Sequence, residues 1–246
     1  MAIPSPGRVR LPREPRVRKM FRYTFTFDRQ TRIELEVDES TDTSPEPVDV
    51  VIPDWVRLDK FRCRGCALPV GSRRTCPAAQ ALLPVVETFR NHVSYEPVRV
   101  QVQTDRLSFE ATLPAPDAAR SVFGQLLALC ACPVLRQLRP LAFYHLPFAT
   151  RQHTAFRFLG SYLIGQVLRR QQGLPADWDL GGLLRLVDEL HEVNSCLADR
   201  IRAASEQDAA VNSVIYLDAF AHGVEFDIEQ GLIQLQPLFA AYLKSP

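Results

Sequence analysis

Three cysteines lie within fourteen residues: Cys63 and Cys66 form a Cys-Arg-Gly-Cys pattern, and Cys76 follows directly before a proline. A further pair, Cys130 and Cys132, ends a helical stretch, and Cys132 also precedes a proline. Two thiolates separated by two residues can bind one metal ion, and a tetrahedral shell at about 2.3 Å per zinc–sulfur bond needs two more. The spacing predicts a four-thiolate metal site at Cys63, Cys66, Cys76 and Cys132, with Cys130 as an alternative fourth ligand.

Two kinds of metal centre fit this pattern. Zinc is the usual occupant of closed four-cysteine sites, where its role is structural. The cysteine–proline pairs at Cys76 and Cys132 also occur in iron–sulfur clusters of the bacterial ferredoxin kind. We favour zinc and keep an iron–sulfur cluster as the alternative. Thiol redox chemistry by Cys63 and Cys66 alone is not favoured, because no βαβ pattern surrounds them.

Positive charge surrounds the cysteine loop. Between residues 56 and 76, one acidic residue, Asp59, accompanies six basic ones, namely Arg57, Lys60, Arg62, Arg64, Arg73 and Arg74. A divalent ion held by four thiolates carries a net charge of −2, which nearby guanidinium groups would stabilise. The alternative is that the cysteines are unligated small hydrophobic residues beside a solvated rim of arginines. Cys196, in a helical stretch, is interpreted as a core residue.

Two other places in the sequence carry histidines that could form a site. His145 lies among aromatic and apolar residues 143–148; it could bind metal or act as an acid or base near pH 7, but a hydrogen-bonded core histidine is the favoured interpretation. Asp188, His191 and Glu192 resemble half of a carboxylate-bridged metal site in a helix bundle. Asp218 and His222 make a poor second half, so a charged helix face is favoured there.

The hydrophobic period predicts an α+β fold. Apolar residues alternate over residues 21–27 and 33–37, and again over 98–102 and 107–111, which indicates two β-hairpins. They would form a small four-stranded antiparallel sheet, covered on one face by a helix at 77–92 and separated from it by a loop at 39–53. A helical half follows, with helices expected at 117–132, 151–172, 180–204, 208–221 and 228–243.

Three segments result. Residues 1–19 carry a net charge of +5 and four prolines, and we expect a disordered basic tail. Residues 20–115 would form the sheet with its cysteine-rich loop and helix, and residues 116–246 the helical half packed on the sheet. The chain as a whole has a net charge of +1, so the part after the tail is acidic. Nucleic acid is therefore an unlikely partner, and binding through the tail would be weak and non-specific.

Several classes of protein are disfavoured. A basic start without an apolar run argues against a secretory signal, and no apolar stretch reaches the ~20 residues of a spanning helix. We therefore expect a cytoplasmic protein without a membrane partner, where free thiols or metal ligands outnumber disulfides. The phosphate-binding, dinucleotide-binding, serine-hydrolase and zinc-protease motifs are missing, so whether the protein is an enzyme is uncertain, and we lean against it.

Four stretches carry a family resemblance. They are Phe61-Arg-Cys-Arg-Gly-Cys-Ala-Leu68, Cys76-Pro-Ala78, Cys132-Pro133 and Phe143-Tyr-His-Leu-Pro-Phe-Ala149. From Met20 onward the chain resembles an uncharacterised bacterial family described only as a domain of unknown function. The resemblance implies no activity or substrate. It favours Cys132 over Cys130 as the fourth ligand and draws attention to His145.

Together these patterns predict a non-catalytic binding or regulatory protein that is stapled by zinc, with an unknown protein or small molecule as its partner. The alternative is an iron–sulfur redox or sensor protein, and such a protein could be an enzyme.

Overall fold

The computed structural model describes residues 20–28, 31–38, 51–230, 232–233 and 235–244. The expected tail and residues 39–50 of the expected loop lie outside these ranges. The strands are β1 (Met20–Phe27), β2 (Thr31–Asp38), β3 (Pro97–Gln103) and β4 (Ser108–Pro114). The helices are α1 (Pro77–Phe89), α2 (Ala115–Leu129), α3 (Arg139–Phe143), α4 (Arg151–Gln171), α5 (Gly181–Arg202), α6 (Ala209–Glu229) and α7 (Ala240–Leu243).

The four strands form one antiparallel sheet in the order β2-β1-β3-β4, which confirms the predicted pair of hairpins. In the register of the central strand, Phe25 lies opposite Ile33 on one side and Val100 on the other. Side chains of a strand alternate between faces, and the odd-numbered aromatic residues of β1 are all buried: Phe21, Tyr23, Phe25 and Phe27. One face of the sheet is therefore the wall of the core.

Two helices cover this face, where the sequence predicted mainly one. Phe89 of α1 packs edge-on against Phe25 and Phe27, with ring centroids 5.2 Å apart in both pairs. Helix α2 follows β4 without a loop and places Gln125 against the hydroxyl of Tyr23. Helices α5 and α6 pack beyond α2, so the helical half shares a core with the sheet. The α+β class predicted from the sequence is confirmed.

The C-terminal helices differ from the prediction at Gly223. We expected a helix end there, but α6 runs continuously from Ala209 to Glu229. A Cβ at Gly223 would lie 2.8 Å from Cδ of Arg151, so the glycine permits a close approach to α4 and does not end the helix. The single helix expected at 228–243 is also wrong, because the described part of that stretch contains the end of α6, a 3₁₀ turn (Gln236–Phe239) and the short helix α7.

Candidate functional site

The four predicted ligands come from three segments around the start of α1. Cys63 and Cys66 lie on one turn, in which the N–H of Cys66 donates to the carbonyl of Cys63 at 3.1 Å. Cys76 precedes α1 and donates its N–H to Val56 O at 2.8 Å. Cys132 follows the end of α2. The loop, the start of one helix and the end of another therefore contribute the thiols.

The thiols interact with one another without forming a closed shell. Burial raises the pKa of Cys132, and the thiols of Cys76 and Cys66 raise it further by charge repulsion. The same two thiols also raise the pKa of Cys63, so the four groups share one neighbourhood. However, among the described residues no three cysteine sulfurs lie within 4.8 Å of one another. All six cysteines are free of disulfides.

The turn after Cys132 directs backbone donors at its sulfur. The N–H groups of Leu135 and Val134 donate to Cys132, which favours its thiolate, while burial opposes it more strongly. Cys130 is more deeply buried, and this burial raises its pKa well above the ordinary value. Cys130 has one backbone donor, that of Cys132, whereas Cys132 has two, so Cys132 has the stronger support for a metal-bound thiolate.

Cys196 lies in this neighbourhood too, although the sequence indicated a core residue. It is only half-buried, and the thiol of Cys63 donates a hydrogen bond to its sulfur. This bond, with the nearby guanidinium of Arg200, lowers the pKa of Cys196 to about 6. The same bond and burial raise the pKa of Cys63. Nothing in the spacing along the sequence pairs these two cysteines, because four helices (α1–α4) and two strands (β3 and β4) lie between Cys63 and α5.

Arg200 fixes the loop that carries the first two cysteines. Its side chain is fully buried, and Nη1 donates to the carbonyls of Trp55 at 2.6 Å and Arg57 at 2.9 Å. Nη2 donates to the carbonyl of Phe61, whose ring lies under the guanidinium. These partners are neutral, and no carboxylate of the described residues pairs with Arg200. A buried cation therefore lies beside the cysteines.

The arginines of the loop itself have other partners than sulfur. Arg57 forms a two-pronged hydrogen bond with Asp59 at 2.7 and 3.0 Å. Arg64 pairs with Glu192 of α5, and Arg62 donates to the carbonyl of Leu68. These groups are mostly exposed and tie the loop to itself and to α5. Arg200, which the sequence did not single out, forms a hydrogen bond with the thiol of Cys196.

His145 belongs to a buried polar network between the sheet and α2. The hydroxyl of Tyr23 donates to Oε1 of Gln125 at 3.0 Å and lies 2.7 Å from Nε2 of His145. Burial, with a smaller effect of Arg157, lowers the pKa of His145 to about 3. The ring is therefore neutral at pH 7 and hydrogen-bonded to Tyr23, as in a core histidine.

A cavity of about 150 Å³ lies beside His145, between α2, α4, α5 and α6. Its lining is mainly apolar, with Leu127, Leu141 and Phe158 among the contributing side chains. A few polar groups interrupt this lining: Arg120, His145, Thr154, Arg157 and Asn194. A partly open, mainly apolar cavity with a few convergent polar groups is the usual form of a small-molecule site.

The two arginines of the cavity differ in their partners. Arg120 pairs with Asp117 at 2.9 Å. Arg157 donates from Nη2 to the carbonyl of Leu141 at 2.7 Å, and its buried Nε–H has no acceptor among the described residues. Burial lowers the pKa of Arg157. The cavity thus has one guanidinium on its wall whose charge no described carboxylate balances.

The fold and this site define an α+β protein with an antiparallel sheet, a helical half, a cysteine neighbourhood and an internal cavity. The chain belongs to the family described as "Domain of unknown function (DUF6901)", which its sequence matches over residues 20–240. No curated protein and no solved structure matches it. Among the described helices, none combines the length and apolar character that crossing a membrane requires.

Replacing Arg200 should destabilise the fold. In Arg200→Met, three carbonyls lose their donor inside the core, and we expect the free energy of unfolding to fall by about 3 kcal/mol. The control is Arg202→Met, whose guanidinium is 59% exposed and pairs only with Asp199; it should cost less than about 1 kcal/mol. Urea unfolding of the three proteins measures this, and equal losses in both variants would contradict the role of Arg200.

Acid should destabilise the protein through His145. Its pKa in the folded state, about 3, lies below the ordinary 6.5, so between these values the unfolded chain binds more protons. Stability should then fall as the pH drops below about 6.5, by up to about 1.4 kcal/mol per pH unit from this residue, and should not change on its account above that pH. Urea unfolding of wild type and His145→Gln across this range isolates the effect, because the carboxylates contribute alike to both. Parallel pH profiles would show that His145 is not the group responsible.

Proposed function

We propose that this chain is a non-catalytic binding protein that takes a small, largely apolar monocarboxylate in the cavity beside His145. We further propose that zinc, held by Cys63, Cys66, Cys76 and Cys132, fastens the cysteine loop to α1 and to the end of α2. The observation that carries the proposal is the half-buried guanidinium of Arg157, which has no carboxylate partner among the described residues and lies on a mainly apolar wall.

The size of the cavity limits the ligand. A dry cavity of about 150 Å³ suits a molecule the size of benzene, and the volume here is the same. Its apolar side chains favour a hydrocarbon ring or branched chain, because each buried methylene contributes roughly 0.8 kcal/mol. Neutral His145 adds no charge. The body of the ligand is therefore a single small apolar group.

Arg157 supplies the reason for a carboxylate. A guanidinium donates two parallel hydrogen bonds to a carboxylate, and the free Nε–H of Arg157 is one of the donors needed for that geometry. A buried charge without a partner is costly, and an anionic ligand would offset this cost. Arg120 is a poorer anchor because Asp117 already balances its charge.

The zinc half of the proposal is supported by the shared neighbourhood of the thiols and by Arg200. A four-thiolate zinc centre carries a net charge of −2, and the guanidinium of Arg200 contacts Cys196, whose sulfur accepts a hydrogen bond from Cys63. An anionic centre at this place would add to the negative charge near a buried cation whose backbone partners are all neutral carbonyls. Binding would have to draw the sulfurs closer together, as bonds of about 2.3 Å require.

An iron–sulfur cluster is the second candidate for the same ligands, and a sensor or redox protein would then result. The observation that favours it is the turn at Cys132-Pro133, where backbone N–H groups donate to the sulfur. Such bonds help to set the reduction potential of clusters, but they also support zinc thiolates. The same four cysteines could therefore bind either a zinc ion or an iron–sulfur cluster.

The ligand proposal predicts a preference for acids. Benzoate should stabilise the full chain in thermal unfolding more than neutral benzyl alcohol does, and Arg157→Met should weaken benzoate binding tenfold or more, since charged hydrogen bonds contribute about 1.5–3 kcal/mol. Benzyl alcohol should bind the variant and wild type equally, which shows that the cavity is intact.

The control for Arg157 is Arg106→Met, which alters an exposed guanidinium in the turn between β3 and β4 and should leave both affinities unchanged. Equal affinity of wild type for benzoate and benzyl alcohol would show that Arg157 does not select the ligand.

The metal proposal predicts which cysteines hold the ion. Protein purified without oxygen should contain zinc and be colourless, whereas a cluster would make it brown. Cys63→Ser and Cys132→Ser should release the metal and lower the melting temperature, because metal binding contributes to folding free energy. Cys196→Ser is the matched control and should retain the metal. Elemental analysis showing the same metal content in all three variants would mean that the ligands are wrong.

A further inference from the structure

Two histidines and an aspartate converge where α5 and α6 pack together. Asp218 and His222 are one helical turn apart on α6 and share a face, and His191 faces them from α5. Nδ1 of His191 is 2.9 Å from Oδ2 of Asp218, and Nδ1 of His222 is 3.6 Å from the same oxygen. The two imidazole rings meet edge to face, with centroids 4.7 Å apart. The sequence interpretation, a charged helix face, missed this convergence.

These atoms form the only group among the described residues in which three possible metal ligands lie within 4.8 Å of one another. Imidazole and carboxylate bind zinc at about 2.0–2.2 Å, so ligand atoms around one ion are roughly 3–3.5 Å apart. The observed separations need only small side-chain rotations to reach that geometry. A metal ion would replace the hydrogen bond between His191 and Asp218 and bind to both.

Neighbouring groups hold the three side chains in place. Nδ2 of Asn194 donates to Oδ1 of Asp218 at 3.3 Å, which leaves Oδ2 directed at the imidazoles. Outer contacts of this kind orient the ligands of protein metal sites. Nδ1 of His222 also lies 3.1 Å from the backbone carbonyl oxygen of Asp218; this contact restrains the ring without metal and would be given up if Nδ1 binds the ion.

The position at the surface defines the kind of site. His191 and His222 are each 49% exposed, and Asp218 is 21% exposed, so water can complete the coordination sphere. Two imidazoles and one carboxylate suit borderline ions such as Zn²⁺, Ni²⁺ and Cu²⁺ and are a poor set for Mg²⁺ or Ca²⁺, which prefer oxygen. We propose that His191, Asp218 and His222 form a second, open site for a divalent transition metal ion, independent of the cysteine site.

Ni²⁺ is a suitable probe because its affinity for nitrogen ligands is high. Calorimetric titration of the full chain with Ni²⁺ should show one equivalent bound, and His191→Ala and His222→Ala should each weaken binding at least tenfold. Asn194→Ala should weaken it about 10-fold, the lower end of the effect of outer contacts. The control is His153→Gln, which removes another exposed histidine and keeps the capping box of α4; its affinity should equal that of wild type.

Two further measurements keep the outcome interpretable. In wild type, paramagnetic Ni²⁺ should broaden the ring-proton NMR signals of His191 and His222 before those of His153, a result that needs no variant to fold. Ni²⁺ binding should also persist in Cys63→Ser, so failure of the cysteine site would leave this one intact. Unchanged affinity in His191→Ala and His222→Ala, or Ni²⁺ binding that disappears in Cys63→Ser while the NMR signals of His191 and His222 stay sharp, would overturn the proposal.

Discussion

The buried guanidinium of Arg200 is the interaction on which the arrangement of this protein depends. Removing such a cation from water costs several kcal/mol unless hydrogen bonds replace the lost hydration. Here the carbonyls of Trp55, Arg57 and Phe61 provide that replacement. The loop makes all three bonds in its observed conformation. In that conformation Cys63 lies against α5, and the start of α1 lies beside it. The cysteine neighbourhood therefore depends on the carbonyl acceptors that the guanidinium of Arg200 requires.

A second polar contact joins the sheet to the cavity. Tyr23 stands in the middle of an apolar face, where an unpaired hydroxyl would cost roughly 1–3 kcal/mol. Gln125 and His145 supply its partners, and His145 also lines the cavity. Strand β1 thus determines where the loop after α3 lies, and that loop in turn closes one side of the cavity. The hydrogen bonds of the Tyr23 hydroxyl therefore constrain both the packing of the sheet and the shape of the cavity.

The structural elements that depend on short-range periodicity, such as the two hairpins, were predicted correctly from the sequence. Alternation at Phe21–Phe27 was sufficient for the hairpins, because one face of an antiparallel sheet is apolar whatever covers it. Gly223 was misread, because a glycine near the end of a helical pattern resembles a helix stop unless the close approach of Arg151 is known. One signal was present but unused: Arg200 continues the apolar stripe of Val193 and Leu197, where a charged residue must have a buried partner.

Sites formed by residues of two distant elements could not be predicted from periodicity. His191 and Asp218 are 27 residues apart, and Cys63 and Cys196 much further, so their meeting depends on how α5 turns against α6 and against the loop. Periodicity places a residue on a helix face and leaves the rotation of one helix about another undetermined. The cavity beside His145 is a consequence of the same packing, and apolar residues alone do not distinguish its lining from filled core.

Helix α2 connects the two halves of the proposed function. It begins at the sheet edge, its middle contributes Gly124, Leu127 and Ala128 to the cavity wall, and its end leads into Cys132. A metal ion that holds Cys132 would restrict the movement of that wall. Ordering a site before its ligand arrives reduces the entropy lost on binding, so the metal would raise affinity for the ligand. Because coupling between two binding equilibria is reciprocal, a ligand in the cavity would raise the affinity for metal by the same factor. If both proposed sites are occupied, the metal and the ligand would therefore be thermodynamically coupled through α2, the helix that contributes to both sites.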